Sequence, residues 1–361
     1  MSGEKGLPKT ETVLNYLHDC YRKGSFPDGR LPKELELCEM LGVSRVTVRR
    51  ALAIMENSNL IVRRKRAGTF YRHSKHLSTN TAGLLMRTHG HLYGDLYAYL
   101  TEKLSQKGFS CKVVNYPDRL NLSKYKAFQR QAVQLINQPL DCLIAEGLIA
   151  GELPPGSGLQ SASPIFWDFF DSPRQINYSG VWFNYEKAAY LAAKYLLKCG
   201  CKRPLLLLHP IPLEVRFNPI NYQKHRQKQT IDGFIRAMAE YGLDGNDHVL
   251  GSNFQGNVEF DNWIIRIMQN PQLRPDAFLG AADSLLLRPM KEALHLKLKI
   301  PEELRFVGIG NTPWSRGDSI MPFSSVDLQL EKTAEKIVEQ AYLKANERKE
   351  IFIEPKLIIR N

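Results

Sequence analysis

The apolar residues of the first seventy positions recur at helical spacing in three short segments. The second segment ends at Gly42, which suits a left-handed cap, and Ser44 supplies a capping oxygen for the third. Val48, Leu52 and Met55 give the third segment an apolar stripe that can be buried. The pattern predicts helices over Thr10–Arg22, Lys33–Leu41 and Arg45–Ser58.

Two helices joined by a tight turn that contains glycine form a helix-turn-helix. Two strand-like runs follow, over Leu60–Arg63 and Gly68–Tyr71, and the segment between them is basic. A basic hairpin tip is typical of a wing that lies along a DNA groove with its cations near phosphates. The first two turns of the third helix also expose polar and basic side chains, at Arg45, Thr47, Arg49 and Arg50.

Short apolar runs alternate with helical patterns beyond a polar stretch at residues 72–81, which we interpret as a linker. Strand–helix alternation predicts an α/β fold with doubly wound parallel sheets, which bind ligands beyond the carboxyl ends of their strands. The predicted strands are Gly83–Met86, Leu140–Ala145, Pro164–Trp167, Val181–Phe183, Leu205–Leu208, Ala277–Gly280 and Phe306–Ile309. The predicted helices are Leu92–Lys107, Lys124–Ile136, Glu186–Lys198, Thr230–Tyr241, Asn257–Met268, Ser284–Leu296 and Leu328–Ala345.

Charge is concentrated at the amino-terminal end of this 361-residue chain, whose formal net charge is +12. Residues 43–72 hold eight basic residues and one acidic residue, Glu56. A focused basic patch that coincides with a helix-turn-helix predicts a polyanion-binding surface rather than a solvated basic face. The chain has no run of about 18 apolar residues and no secretory h-region, so we expect no membrane association. Six cysteines without a CxxC pair favour a reduced, cytoplasmic protein.

Motifs for catalysis and for cofactor binding are missing from the sequence. It contains no P-loop, no G-x-S-x-G and no HExxH string. Gly308-x-Gly310 lacks the third glycine of a dinucleotide site, and His89-Gly-His91 has no third ligand at a suggestive spacing. We therefore expect no enzymatic activity, no cofactor and no metal site.

The string LPKELELCEMLGVSRVTVRRALAIMENSNLIVRRKRAGTFY resembles the winged helix-turn-helix of the GntR family, and the match runs from about Thr10 to Tyr71. The resemblance implies that Arg45 and Arg49 contact DNA. The family usually has a phosphate-contacting arginine where this chain has Leu35, and Lys33 is the candidate replacement for that cation. The wing tip usually carries glycine where this chain has Arg66. The candidate DNA-binding residues are Lys33, Ser44, Arg45, Thr47, Arg49, Arg50, Arg64, Lys65, Arg66 and Gly68.

Residues from about Ala82 to Asn361 resemble the LacI/GalR-type sensor domain, which is related to periplasmic sugar-binding proteins. The most distinctive run is DAFLGAADSLLLRPMKEALHLKLKIPEELRFVGIGN. The resemblance implies two periplasmic-binding-protein-like lobes with an effector between them. A GntR-type head on such a sensor is the architecture of arabinose-repressor-like regulators. The candidate effector-binding residues are Tyr93, Trp167, Asp168, Phe183, Arg226, Thr230, Phe254, Asp283 and Asn311.

Several hydrogen-bonding positions depart from this sensor pattern. Thr230 replaces an effector-binding arginine, Ala282 replaces an asparagine, and Gly310 replaces an aspartate. If the helix begins early enough, Arg226 shares a face with position 230 and can serve it, because residues four apart are neighbours on a helix. With Lys224 and Lys228, Arg226 would then suit a sugar acid or a phosphate. The alternatives are a neutral sugar or a sensor without a ligand, and each pocket aromatic has ordinary core packing as its alternative.

These observations predict a DNA-binding domain over residues 1–71, a linker over 72–81 and an effector-binding and dimerisation domain over 82–361. The expected function is that of a transcriptional repressor of carbohydrate-utilisation genes, controlled by a small sugar-like effector. We expect it to bind a double-stranded operator with an inverted repeat as a homodimer. The alternative is a solute-binding or enzymatic periplasmic-type domain without a regulatory role.

Overall fold

The structure is a computed structural model of the full chain. Contacts between residues divide it into two units. The first comprises the described residues up to Met86, together with Thr101–Ile165 and Gln340–Arg348, and the second comprises Arg87–Leu100, Phe166–Glu339 and Lys349–Asn361. The structure describes residues 9–23, 25–26, 29–57, 60–64, 67–71, 80–117, 122–138, 140–147, 149, 153–154, 157–159, 162–168, 180–209, 220–251, 257–318, 320–343 and 347–360.

Three helices and a hairpin form the amino-terminal part of the first unit. Val13, Leu17, Leu37 and Leu52 are among the buried residues of its core, and the Tyr71 hydroxyl donates a 2.7 Å hydrogen bond to the Leu17 carbonyl. The antiparallel hairpin pairs its two strands in register, which is the geometry of a wing. The elements are α1 (Lys9–Lys23), α2 (Glu34–Leu41), α3 (Arg45–Asn57), β1 (Ile61–Arg64) and β2 (Gly68–Tyr71).

A parallel set of three strands forms the rest of the first unit's sheet structure. Strand β3 (Thr81–Met86) is buried along its whole length and pairs on one side with β4 (Ser110–Asn115) and on the other with β5 (Cys142–Glu146). Helix α5 (Leu122–Ile136) lies between β4 and β5 in the chain. Helix α4 (His91–Gln106) joins β3 to β4, and its residues are shared between the two units. This is the strand–helix alternation that the apolar pattern predicts.

The second unit contains two groups of strands. In the first group, β7 (Gly180–Phe183) pairs in parallel with β6 (Ile165–Asp168) and with β13 (Ile351–Ile353). The second group is a six-stranded sheet with the order β14-β12-β11-β10-β8-β9, in which only the β12–β14 pair is antiparallel. Its strands are β8 (Pro204–Leu207), β9 (Val249–Leu250), β10 (Ala277–Gly280), β11 (Arg305–Ile309), β12 (Ser324–Asp327) and β14 (Lys356–Ile358).

Helices connect the parallel strands of the second unit. Helices α6 and α7 pack closely, since a Cβ at Gly233 of α7 would lie 2.0 Å from the Glu186 carbonyl oxygen of α6. Leu207, Ile264, Phe278 and Met290 belong to the apolar core of the six-stranded sheet. The helices are α6 (Tyr185–Lys198), α7 (Ile220–Ala239), α8 (Asn257–Gln269), α9 (Leu287–His295), α10 (Pro313–Arg316) and α11 (Leu330–Ala341).

The prediction of a mixed α/β chain with parallel sheets is confirmed. Several element bounds differ from the prediction; α9 begins at Leu287 rather than Ser284, and α11 ends at Ala341 rather than Ala345. Helix α7 begins at Ile220, ten residues before the predicted start at Thr230, and strands β4, β9, β12, β13 and β14 were not predicted. Within the described ranges, no helix is both long and apolar enough to cross a membrane.

Candidate nucleic-acid interface and ligand pocket

The first turn of α3 is fixed by its own side chains. The Ser44 hydroxyl oxygen accepts a 3.2 Å hydrogen bond from the backbone N–H of Thr47, and the two hydroxyl groups lie 2.8 Å apart. This cap satisfies a backbone donor that the helix itself leaves open. Ser44 and Thr47, both candidate DNA-binding residues, therefore also hold the end of α3 from which Arg45 and Arg49 project.

Glu34 of α2 links the two arginines that the sequence places at the DNA surface. Its Oε2 atom lies 3.1 Å from Arg45 Nε and 2.9 Å from Arg49 Nε. Arg63 of β1 places its Nη1 atom 3.8 Å from Glu34 Oε1 and its Nε atom 3.1 Å from Glu56 Oε2. Partial burial opposes ionisation of Glu34, but the hydrogen bonds and charges of Arg49 and Arg45 outweigh it and lower the pKa of this carboxyl. The cluster therefore persists at neutral pH.

The remaining candidate DNA-binding residues lie around this cluster or outside the described residues. Lys33 precedes α2, is exposed, and donates its backbone N–H to Glu36 at 2.9 Å. Arg50 is exposed on α3, and the Arg64 guanidinium lies 5.1 Å from the Phe70 ring centroid in the wing. Gly68 has a φ of 114°, which favours glycine there. Lys65 and Arg66, the predicted wing tip, fall outside the described residues.

Substitution of Glu34 tests whether its carboxylate positions the arginines. We expect Glu34→Gln to lower the ratio of specific to non-specific DNA affinity by roughly two- to fivefold, the range of a partly exposed ion pair. The amide no longer holds both guanidinium groups, and a negative charge that competes with DNA phosphates is lost. Competition titrations of a selected duplex against an unrelated duplex measure this ratio.

Glu39→Gln is the matched control for this substitution. Glu39 lies on the same helix, is exposed, and its replacement changes the net charge by the same amount. An equal change in the affinity ratio for both variants would show that charge alone matters and would contradict a positioning role for Glu34.

A cavity of about 430 Å³ lies in the second unit, at the carboxyl ends of several strands. Arg87 follows β3, Ala281 follows β10, and Gly310 follows β11. Thr230 of α7 is 2% exposed and lines the same cavity. Strand ends in parallel sheets are where such folds bind small molecules, so this cavity is the candidate ligand pocket.

Asp283 anchors one wall of the ligand pocket. Its Oδ2 atom accepts hydrogen bonds from the Thr312 backbone N–H at 2.7 Å and from the Thr312 hydroxyl at 2.8 Å, and its Oδ1 atom accepts one from Ser325 at 2.6 Å. Burial raises the pKa of Asp283, while these hydrogen bonds oppose that shift. Asp283 thus ties the turn after β10 to the loop after β11 and to β12.

A cationic and aromatic cluster adjoins the pocket. The Arg87 guanidinium lies 3.6 Å from the centroid of the Tyr93 ring, and both residues line the cavity. Arg87 also lies 3.9 Å from Asp168, which is fully buried and accepts a 2.6 Å hydrogen bond from Tyr185. Tyr93 contacts Trp167 with ring centroids 6.0 Å apart. The arginine is thereby held in one orientation at the pocket wall.

The structure brings some predicted effector residues together and separates others from the cavity. Tyr93, Thr230 and Asp283 line it. Trp167 and Asp168 are buried beside Tyr93 and Arg87, respectively, and do not line the cavity. Phe183 is buried with its ring centroid 6.4 Å from that of Trp167 and does not line it either. Asn311 lies between the lining residues Gly310 and Thr312, and its side chain donates a 3.2 Å hydrogen bond to Asp327 and accepts one from Arg360. Arg226 lies in α7, but its side chain is outside the described part of the chain, as is Phe254.

Several lining residues were not predicted as effector contacts. They include Arg87, His209, Gln227 and Trp314, and His91 lines the cavity with its ring 5.1 Å from Trp314. The position of Arg87 directly after a buried strand was a signal available in the sequence, since strand ends meet at one edge of a parallel sheet. Among the residues that the structure describes, no group of three His, Cys, Asp or Glu side chains is arranged to hold a metal ion.

Two family models match the chain. A model described as bacterial regulatory proteins, gntR family, matches residues 11–70, and one described as a periplasmic binding protein-like domain matches residues 183–361. The first range covers the helix-turn-helix and the wing. The second covers the six-stranded sheet and most of the residues that line the ligand pocket.

The chain is also similar to curated and solved regulators. It is 23% identical to an arabinose metabolism transcriptional repressor of Geobacillus stearothermophilus over 99% of this chain and 98% of that protein. A dimeric Lac repressor with a C-terminal deletion matches with a TM-score of 0.60 at 16% identity, over 78% of this chain and 97% of that one. The complex of the regulator CelR with cellobiose matches with a TM-score of 0.55 at 16% identity, over 88% and 91%.

The two structural similarities show the fold, and the family models assign its parts. The chain therefore joins an amino-terminal domain that matches the gntR family model to a carboxyl-terminal domain that matches the periplasmic binding protein-like model.

Proposed function

We propose that this protein is a sequence-specific transcriptional repressor of carbohydrate-utilisation genes whose DNA binding is controlled by a small sugar-like ligand. In this proposal, residues 1–71 form the DNA-binding domain and residues 82–361 form the domain that binds the ligand and dimerises. Residues 72–81 form the linker between them. The protein acts in the cytoplasm, where its operator is, and catalyses no reaction. The observation that carries the proposal is the Glu34 cluster, which presents Arg45 and Arg49 at the exposed start of a capped helix.

DNA binding is supported by the geometry of the helix-turn-helix. The amino-terminal turns of a recognition helix are the part that enters the major groove. Arg45 and Arg49 project from those turns with more than half of each side chain exposed. Guanidinium groups in this position can form paired hydrogen bonds with guanine or contact phosphates. The wing adds the exposed cation Arg64.

A two-fold homodimer requires an operator with two half-sites of opposite direction. One helix and one wing read only a short segment, so two copies related by a two-fold axis read an inverted repeat. We expect footprints on selected DNA to show two protected half-sites with dyad symmetry at saturation. A single asymmetric half-site, protected at saturating protein, would contradict the dimeric arrangement.

A sugar-like ligand is supported by the chemistry of the pocket. The aromatic residues Tyr93 and Trp314 line the same cavity as the polar residues Arg87 and Thr230. In such a pocket, the aromatic rings pack on the C–H groups of a sugar and the polar groups orient its hydroxyl groups. The names of the similar proteins mention arabinose and cellobiose. A neutral sugar is therefore the first class to test, followed by sugar acids and sugar phosphates.

A thermal-shift screen identifies the ligand. A sugar present at 100 times its dissociation constant is expected to add about 2.7 kcal/mol to the free energy of unfolding and to raise the melting temperature accordingly. Arg87→Ala should lose this shift, because the pocket wall loses its oriented cation. Arg266→Ala removes an exposed arginine of α8 and should retain the shift. A shift that is equal in both variants would contradict this pocket as the binding site.

A further inference from the structure

The exposed face of α3 has an apolar residue at its centre. Val48, Ala51, Leu52 and Met55 form the buried stripe, each at most 1% exposed. At about 100° per residue, Val46 lies roughly 170° from the middle of that stripe, so it points directly away from the core. The Val46 side chain is 77% exposed, although it stands in the most basic part of the chain.

Cationic side chains flank this centre line on both sides. By the same geometry, Arg49 lies about 110° from the buried stripe on one side and Arg50 about 150° on the other. Ala53, seven residues after Val46, continues the line and is also exposed. The outward face of α3 is therefore a narrow apolar line, Val46 and Ala53, between two rows that carry arginines.

This arrangement fits one feature of the major groove. A recognition helix enters the groove with the face opposite its own core, so Val46 comes nearest to the base edges in the first turn. The apolar group that base pairs present there is the 5-methyl group of thymine. The Val46 side chain can form neither a hydrogen bond nor an ion pair with water or phosphate. It can pack against a methyl group while the neighbouring arginines bind polar base edges or the DNA backbone.

We propose that Val46 is a specificity-determining residue that packs against the 5-methyl group of one thymine in each operator half-site. The inference rests on the proposed DNA-binding function. It predicts that the protein distinguishes thymine from uracil at that position, since the two bases differ only by this methyl group. Burial of one methyl group corresponds to about a fourfold difference in affinity for each half-site.

The experiment first selects duplexes from a random-sequence library with the full-length protein. Each thymine of the selected half-site is then replaced by uracil, one at a time, and affinities are measured by gel shift. For the wild-type protein, we expect replacement of one particular thymine by uracil to lower the affinity about fourfold per half-site. Val46→Ala should bind more weakly and no longer respond to that replacement, whereas Val46→Ile should respond as wild type does.

Val258→Ala is the matched control, because Val258 of α8 is 76% exposed and lies outside the DNA-binding domain. It should retain both the affinity and the thymine response of wild type. Selection that enriches no duplex would overturn the DNA-binding function and the inference together. An enriched half-site without thymine, a flat response to every uracil, or a Val46→Ala protein that keeps the full response would overturn the inference alone.

Discussion

Alanine at Arg45 or at Arg49 is expected to weaken binding to a selected duplex by about 1–3 kcal/mol for each half-site contact, or roughly five- to 150-fold. Both guanidinium groups project from the first turns of α3, and Glu34 holds both at about 3 Å. If an arginine donates two hydrogen bonds to one base, its loss also relaxes the sequence preference at that base pair. Affinities are measured by fluorescence anisotropy across single-base variants of the duplex.

Arg130→Ala is the control for these two variants. Arg130 lies on α5, is exposed, and its replacement changes the net charge equally. It is expected to leave both affinity and sequence preference unchanged. Wild-type affinity and an unchanged preference in Arg45→Ala and Arg49→Ala would show that α3 does not read the operator.

Alanine at Asp283 is expected to destabilise the protein by about 2–4 kcal/mol. The change removes the acceptor of three hydrogen bonds, including the one from the buried Thr312 N–H. The Asp283 carboxylate also packs closely on Gly308, where a Cβ would lie 2.0 Å from Oδ1, so alanine leaves a void there. Urea unfolding monitored by tryptophan fluorescence gives the difference, and Asp247→Ala, an exposed aspartate of the same unit, serves as control.

The pKa of Asp283 gives this prediction a pH dependence. Burial raises that pKa above its ordinary value of 3.8, so the folded protein retains the proton to a higher pH than the unfolded chain. The contribution of this group to stability is therefore complete below pH 3.8 and is lost as the pH rises through the raised pKa. Relative to Asp283→Asn, the free energy of unfolding of the wild type should fall as the pH rises from 3.8 through the raised pKa. A rise over this pH range would show that the pKa of Asp283 is lowered on folding.

The sequence predicts the parts of this fold in which apolar periodicity is strong. Helix α3 was predicted to within one residue because its stripe and its Ser44 cap are both local. Helix α7 begins ten residues before its predicted start because residues 220–229 are mostly polar and basic and give no apolar repeat. Strand β4 has the sequence SCKVVN and mixes exposed with partly buried positions. It therefore contains no continuous apolar run that would predict a buried strand.

Residues of the candidate site that depend on distant contacts were not predictable in the same way. The Glu34 pairing joins residues 11 and 15 positions apart on two helices, and no local spacing indicates it. Arg87 follows β3, Thr230 lies within α7 and Trp314 lies in α10, so three elements that are far apart in the chain line one cavity. Asn311 stays a predicted effector residue, and its bonds to Asp327 and Arg360 join positions 16 and 49 residues apart, which no local pattern indicates.

In the proposed repressor, ligand binding and DNA binding are coupled within one chain. A ligand shifts such an equilibrium only by its difference in affinity between two states of the protein. The most direct test measures the affinity of the full-length protein for a selected duplex with and without the sugar that raises its melting temperature. We expect a change of about fivefold or more, the lower end of typical coupling. A sugar that stabilises the protein yet leaves its DNA affinity unchanged would contradict this coupling.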